Sequence, residues 1–125
     1  MAFLGDLLER LARPPEEIRA ENLREWVSTF DGTTTIADVE ARKKNKVAGV
    51  VQNIRVDPRP GRDSIEATII DGTGQLVVKW LGRHELCGVR LGVGLVVEGI
   101  VGCETDGELV VLNPEYVLVP NPENG

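Results

Sequence analysis

From Val47 to Val119 the chain repeats one pattern: a run in which β-branched and aliphatic residues alternate with polar ones, closed by glycine, proline or Asp-Gly. A period of two with such frequent breaks suits short strands and tight turns and leaves no room there for a long helix. The runs are Val47 to Val56, Ile65 to Ile70, Gln75 to Leu81, Leu95 to Val101 and Glu108 to Leu112, with Tyr116 to Val119 resuming the alternation at an edge after Pro114. Asp71-Gly72-Thr73-Gly74 and Glu104-Thr105-Asp106-Gly107 read as hairpin turns, because Asp-Gly tolerates the positive φ that a tight antiparallel turn demands. Gly49 inside the first run predicts a bulge or tight coil of the kind that turns a barrel corner. Residues 57–64 are a loop by composition, and 82–94 a glycine-interrupted connector that sends Leu86, Val89 and Leu91 to the core.

The first 46 residues follow another rule. Phe3, Leu4, Leu7, Leu8 and Leu11 form a helical apolar stripe over 3–13, stopped by Pro14-Pro15. Pro15 then opens a second helix to about Phe30, with Ile18, Leu23, Trp26, Val27 and Phe30 on its apolar face. Two such helices cannot bury their stripes on each other alone. Trp26 and Phe30 are therefore the expected anchors, either on the β region or on a protein partner or second copy. The organisation expected is a helical extension over 1–32, a linker over 33–46, a β domain over 47–119 and a disordered tail over 120–125.

Charge is distributed unevenly. The 125 residues carry a net charge of −6, yet residues 1–41 sum to −5, 42–90 to +5 and 91–125 to −6. A chain that confines its cations to one segment can present a basic face despite an acidic total, since local potential steers a ligand. No apolar stretch is long enough for a membrane helix and the N-terminus lacks a signal-peptide pattern, so a cytoplasmic protein is expected. Cys87, Cys103 and the single His84 supply neither a disulfide framework nor a four-ligand zinc site, and no cofactor motif is present. His84 has no nucleophile placed beside it by sequence, and the carboxylates cluster in turns and caps, so no enzyme is expected. Asp71-Gly72-Thr73-Gly74 joins two strands and opens no helix, which removes it as a phosphate cradle.

Five strands in hairpin-like order, with a longer connector between the third and fourth, predict an all-β, five-stranded OB-fold Greek-key barrel with an N-terminal α-helical extension; an SH3-like barrel is the competitor. The residues Val47-x-Gly49-x-Val51, Ile69-Ile70-Asp71-Gly72-Thr73-Gly74-Gln75-Leu76-x-Val78-x-Trp80, Gly92, Val97-x-Gly99 and Leu112-Asn113-Pro114-Glu115-Tyr116 resemble OB-fold nucleic-acid-binding domains, and among them the wedge domain of RecG-type branch-migration helicases. No helicase motor or Gly-x-x-x-x-Gly-Lys-Ser/Thr loop accompanies them, so the chain resembles a stand-alone relative. The resemblance implies a non-catalytic protein that binds single-stranded or structured DNA, or RNA, in repair or recombination.

In OB folds the ligand crosses strands 2 and 3 between the loops joining strands 1–2 and 4–5. Here the first loop carries Arg59 and Arg62. If Leu76, Val78 and Trp80 point inward, then Val77, Lys79 and Leu81 point outward and Lys79 sits mid-face. Arg55, Arg83 and His84 extend that track at one end, and Lys43, Lys44 and Lys46 at its approach. Trp80 and Tyr116 are the candidates for base stacking, although alternation assigns Trp80 to the core. Glu104, Asp106 and Glu108 in the loop between strands 4 and 5 would repel phosphate. The alternative is a protein-interaction module that uses the barrel as scaffold and the helices as interface.

Overall fold

The computed structural model describes residues 15–83 and 85–122. The predicted 3–13 helix, His84 and the last three residues of the tail lie outside them. Helix α1 (Pro15–Val27) and a single 3-10 turn at Ile36–Asp38 precede six strands: β1 (Lys44–Asp57), β2 (Ser64–Ile70), β3 (Gln75–Leu81), β4 (Gly94–Cys103), β5 (Leu109–Leu112) and β6 (Glu115–Val119).

β1 to β3 form an antiparallel meander, β3 runs parallel to β5, and β5 is antiparallel to β4. β4 also pairs with the first half of β1, which closes the ring. β6 continues β5 along the same edge of β4, so β5 and β6 are one barrel strand broken at Asn113-Pro114. The result is the five-stranded OB barrel. β1 starts at Lys44, three residues before the alternation shows it, because Lys44 to Lys46 are held by the ladder to Ile100, Gly99 and Glu98. One residue, Val50, serves both partners of β1, facing Gly94 on β4 and Ile70 on β2. The bulge expected at Gly49 falls instead at Gln52, between Val51 and Asn53. Gly49 matters for close approach: a Cβ there would come within 3.0 Å of the Ile69 side chain, so its bareness lets β1 lie close over β2 at the corner.

Inward alternation puts Val47, Val51, Ile69, Leu76, Val78, Leu95, Val97, Val101 and Val111 in a fully buried core. Each such side chain contributes about 1.5–3 kcal/mol relative to exposure. Trp80 is buried with them and its indole N–H donates to Pro114 O at 3.1 Å. The 82–93 connector has no regular element among the described residues and sends Leu86 and Val89 into the core. Leu91, expected there too, is 66% exposed: Gly92 N donates to Val51 O and Val51 N to Val93 O, pinning the chain just beyond it and leaving Leu91 outside in the turn.

α1 ends at Val27, one turn short of Phe30, where the hydroxyls of Ser28 and Thr29 turn back onto the carbonyls of Glu25 and Trp26. It lies against the outside of the barrel. Ala48 and Val50 point outward by alternation yet are buried, as are Leu23 and Val27 of the helix, and none of the four belongs to the barrel core. The Arg24 guanidinium donates to Gly72 O at 2.9 Å, and the Trp26 indole donates to Pro120 O at 3.0 Å. Phe30 packs edge-to-face on Trp26, with ring centroids 5.0 Å apart. The two expected anchors thus work within the chain.

A candidate nucleic-acid interface

Register and alternation build the outer face of β1, β2 and β3 row by row. One row is Asn53, Thr68, Val77 and Val110; the next is Arg55, Glu66, Lys79 and Leu112. Val77, expected to be exposed, is buried in its place between Thr68 and Val110. Lys79 sits on this face at a half-buried position, two residues from the Leu81 end of β3 and not at its middle. Its neighbour one strand away, about 4.8 Å in the ladder direction, is Glu66, and Arg55 stands on the other side of that carboxylate. The row continues over Leu112 and Ile100 and reaches β1 again at Lys44.

Beyond the last pair of the β2–β3 ladder, Ser64 with Leu81, Gly82 N donates to Asp63 O at 2.8 Å. This extra step brings Arg62 and Arg83 to the same end of the face as Arg55 and Lys79. Arg55, Arg62, Lys79 and Arg83 make no ion pair among the described residues. Arg83 borders an open groove of about 600 Å³ with Trp80, Leu81, Asn113, Pro114, Tyr116 and the acidic Glu115.

The other predicted cations are engaged or elsewhere. Arg59 chelates Asp57, with Nη2 at 2.6 Å from Oδ2 and Nε at 2.9 Å from Oδ1. That hydrogen bonding holds the Asp57 carboxyl down to about 2 and raises the Arg59 guanidinium. Lys43 pairs with Glu40 at 2.6 Å, and Lys44 with Glu98 at 3.1 Å. The Glu98 hydrogen bond and charge raise the Lys44 ammonium, with Glu115 adding to them. Lys46 faces Glu98 across the β1–β4 ladder. Lys44 and Lys46 lie on the half of β1 that pairs with β4 and Lys43 just before it, about 30–40 Å of extended chain from Arg55 at about 3.3 Å per residue. These eight cations therefore form two groups and not one track.

Neither aromatic is an open stacking platform. Trp80 is in the core, and Tyr116 is half-buried, its ring edge-on to Trp80 at 5.4 Å and its hydroxyl donating to Cys87 O at 3.4 Å. The acidic hairpin 104–108 is exposed at the opposite end of β3, where Asp106 and Glu108 border a groove with Ile36, Ala37, Gly74 and Gln75. The face is polarised along β3, negative at its start and positive at its end.

Three residues that shape this face escape sequence reasoning. Glu66 becomes significant only once register sets it between two cations. Asp71 is fully buried; its Oδ1 accepts from Thr73 N at 2.8 Å and Thr73 Oγ1 at 2.7 Å, and its Oδ2 accepts from Ile36 N at 2.7 Å. The Asp-x-Thr spacing signals the local turn, whereas the bond to Ile36, 35 residues away, has no local trace. Asn113, at φ +50°, donates through its N–H to Lys79 O at 2.6 Å and accepts from Leu81 N through its side chain at 2.9 Å, so it fixes the end of β3 where the cations gather.

No protein-family model matches the sequence, and no curated protein matches it. Solved structures do. A replication protein A heterotrimer bound to single-stranded DNA superposes with TM-score 0.51 at 18% identity over 76% of this chain and 71% of that one. RecG bound to a three-way DNA junction superposes with TM-score 0.54 at 18% identity over 74% of this chain, which is 13% of the RecG chain. An OBody bound to hen egg-white lysozyme superposes with TM-score 0.59 at 16% identity over 74% of this chain and 98% of that one. These likenesses show the OB fold. The RecG match is of the same order as the others, and the three partners are a single strand, a junction and a protein, so the barrel alone does not select a ligand.

Proposed function

We propose that this protein is a non-catalytic binder of single-stranded nucleic acid, which crosses the outer face of β1, β2 and β3 with its phosphates at Arg55, Arg62, Lys79 and Arg83. The observation that supports this is the gathering of those four cations, free of ion pairs among the described residues, at one end of the face that OB domains use. Arg59 joins when phosphate competes with Asp57; Lys43, Lys44 and Lys46 lie off the direct path. His84, next to Arg83 in sequence, is a further candidate. With no open aromatic platform, contacts are mainly to the backbone, so affinity is modest, sequence preference slight and salt dependence steep. A setting in DNA repair or recombination, in the cytoplasm, is part of this proposal.

Fluorescence anisotropy of labelled single strands, duplexes and branched oligonucleotides at several salt concentrations tests this. Replacing Arg62, Lys79 and Arg83 by alanine should weaken single-strand binding and flatten the log–log salt slope by about 2, at roughly 0.7 per lost phosphate contact. Unaltered binding and slope would remove this face from consideration. A protein-recognition role is the second reading, supported by the OBody likeness. It predicts no oligonucleotide binding at low salt by the parent protein.

A further inference from the structure

β6 pairs with β4 along one edge only. On the other side β3 has already ended at Leu81, whose N–H is taken by the Asn113 side chain, and the 82–93 connector makes no backbone hydrogen bond to 115–119 among the described residues. Alternate residues of Glu115–Val119 bond β4, and the N–H and C=O groups that point the other way have no backbone partner among the described residues, although the connector packs Gly88 against the Leu118 side chain. Exposed edges are usually guarded by lysine, an internal proline or a bulge. This one has Pro114 and Pro120 at its limits, a single charge at Glu115, and Val117 62% and Leu118 44% exposed.

We propose that β6 is a self-association site, at which two copies pair antiparallel about a two-fold axis through Val117. This stands independently of the nucleic-acid reading. Such pairing sets Val117 against its copy and Glu115 against Val119 of the other chain, so the two carboxylates are kept apart. It also completes an apolar row. Ala48, Val96 and Val117 are in register on the outer face, emerging from beneath α1 towards the open edge, and the two-fold continues that row into its equivalent on the second barrel. An isologous contact of this kind closes at two chains. A pair of five-residue strands lies at the small end of specific interfaces, below about 1,200 Å², so the dimer is weak and concentration-dependent.

Sedimentation velocity on the full chain over a concentration series should show monomer giving way to dimer. Val117→Lys should leave the circular dichroism spectrum and melting temperature unchanged and abolish the dimer. In a Cys87→Ser, Cys103→Ser background, Val117→Cys should cross-link under mild oxidation, since antiparallel partners hold Cβ atoms about 4.5–5.5 Å apart. Glu115→Cys should not, its copy being about 13 Å away along the strand. Monomer at every concentration overturns the proposal. So does a dimer that survives Val117→Lys, or cross-linking at residue 115 equal to that at 117. Folded Val117→Lys that stays dimeric would place the interface elsewhere; a monomeric parent whose β6 amides shift only when an unrelated extended peptide is added would make the edge a site for another protein.

Discussion

Glu66 carries its charge between the side chains of Arg55 and Lys79, and Asp57 neutralises Arg59 beside them, so two carboxylates damp the basic end of the face. Removing either charge should strengthen phosphate binding. Glu66→Gln is expected to tighten single-strand affinity roughly 2–5-fold, the scale of an exposed charge contact, and Asp57→Asn should do likewise by releasing Arg59; anisotropy titrations at fixed salt measure both. Asp57 has a further signature. Its carboxyl is depressed in the folded protein to about 2, so the Arg59 contact is complete above the ordinary carboxylate range and is lost as pH falls through about 2. NMR titration of the Asp57 side chain should show that low midpoint, and Arg59→Ala should raise it only part of the way to the ordinary carboxylate range, because the residue-59 backbone N–H and the Lys79 charge still favour the carboxylate. At this scale the sequence is most legible for Lys79 and Trp80, whose opposite orientations follow from strict alternation in β3. It is least legible for Val77, which obeys the alternation and is buried nonetheless because its cross-strand neighbours flank it.

The β2–β3 turn is the element on which the face depends. Asp71 ties the turn to the Ile36 backbone, Gly72 receives Arg24 of α1, and a Cβ at Gly72 would fall 2.2 Å from Ala20 O, at φ +87°. Gly72→Ala combines an unfavourable backbone angle with a collision against a carbonyl that cannot move aside. It should cost about 2 kcal/mol or more in a urea titration and expose the 28–34 segment to limited proteolysis as α1 lifts. Stability and proteolysis unchanged from the parent would show that α1 does not depend on this contact. The turn itself is readable as Asp-Gly-Thr-Gly; the helix laid upon it is not, since an amphipathic stripe says that it must be covered and not by what. For the same reason Asn113-Pro114-Glu115-Tyr116, which carries the family resemblance, is informative about the fold: Asn113 and Pro114 are occupied in bonding β3 and Trp80. The motif speaks for the barrel and leaves the ligand open.

At the scale of the molecule, the five barrel strands and their hairpins can be read from a period of two and the placing of turns, and the OB pattern supplies the parallel β3–β5 pairing and the β1–β4 closure; the grouping of charge cannot be read, because it depends on how far each strand is staggered against the next. Net charge by segment locates the cations between residues 42 and 90; only the register divides those on β1 between its β2 side and its β4 side. β1 is the strand that decides this, for it is gripped by different neighbours along its two halves and changes hands at Val50. A strand used twice acts like the overlap in a hoop: neither half can be peeled away without breaking the circle. Amide hydrogens of the β1 ladder on both sides of Val50 should therefore exchange with solvent at one common rate, set by opening of the whole barrel. A slow half beside a fast half would mean that the hoop can be undone from one end.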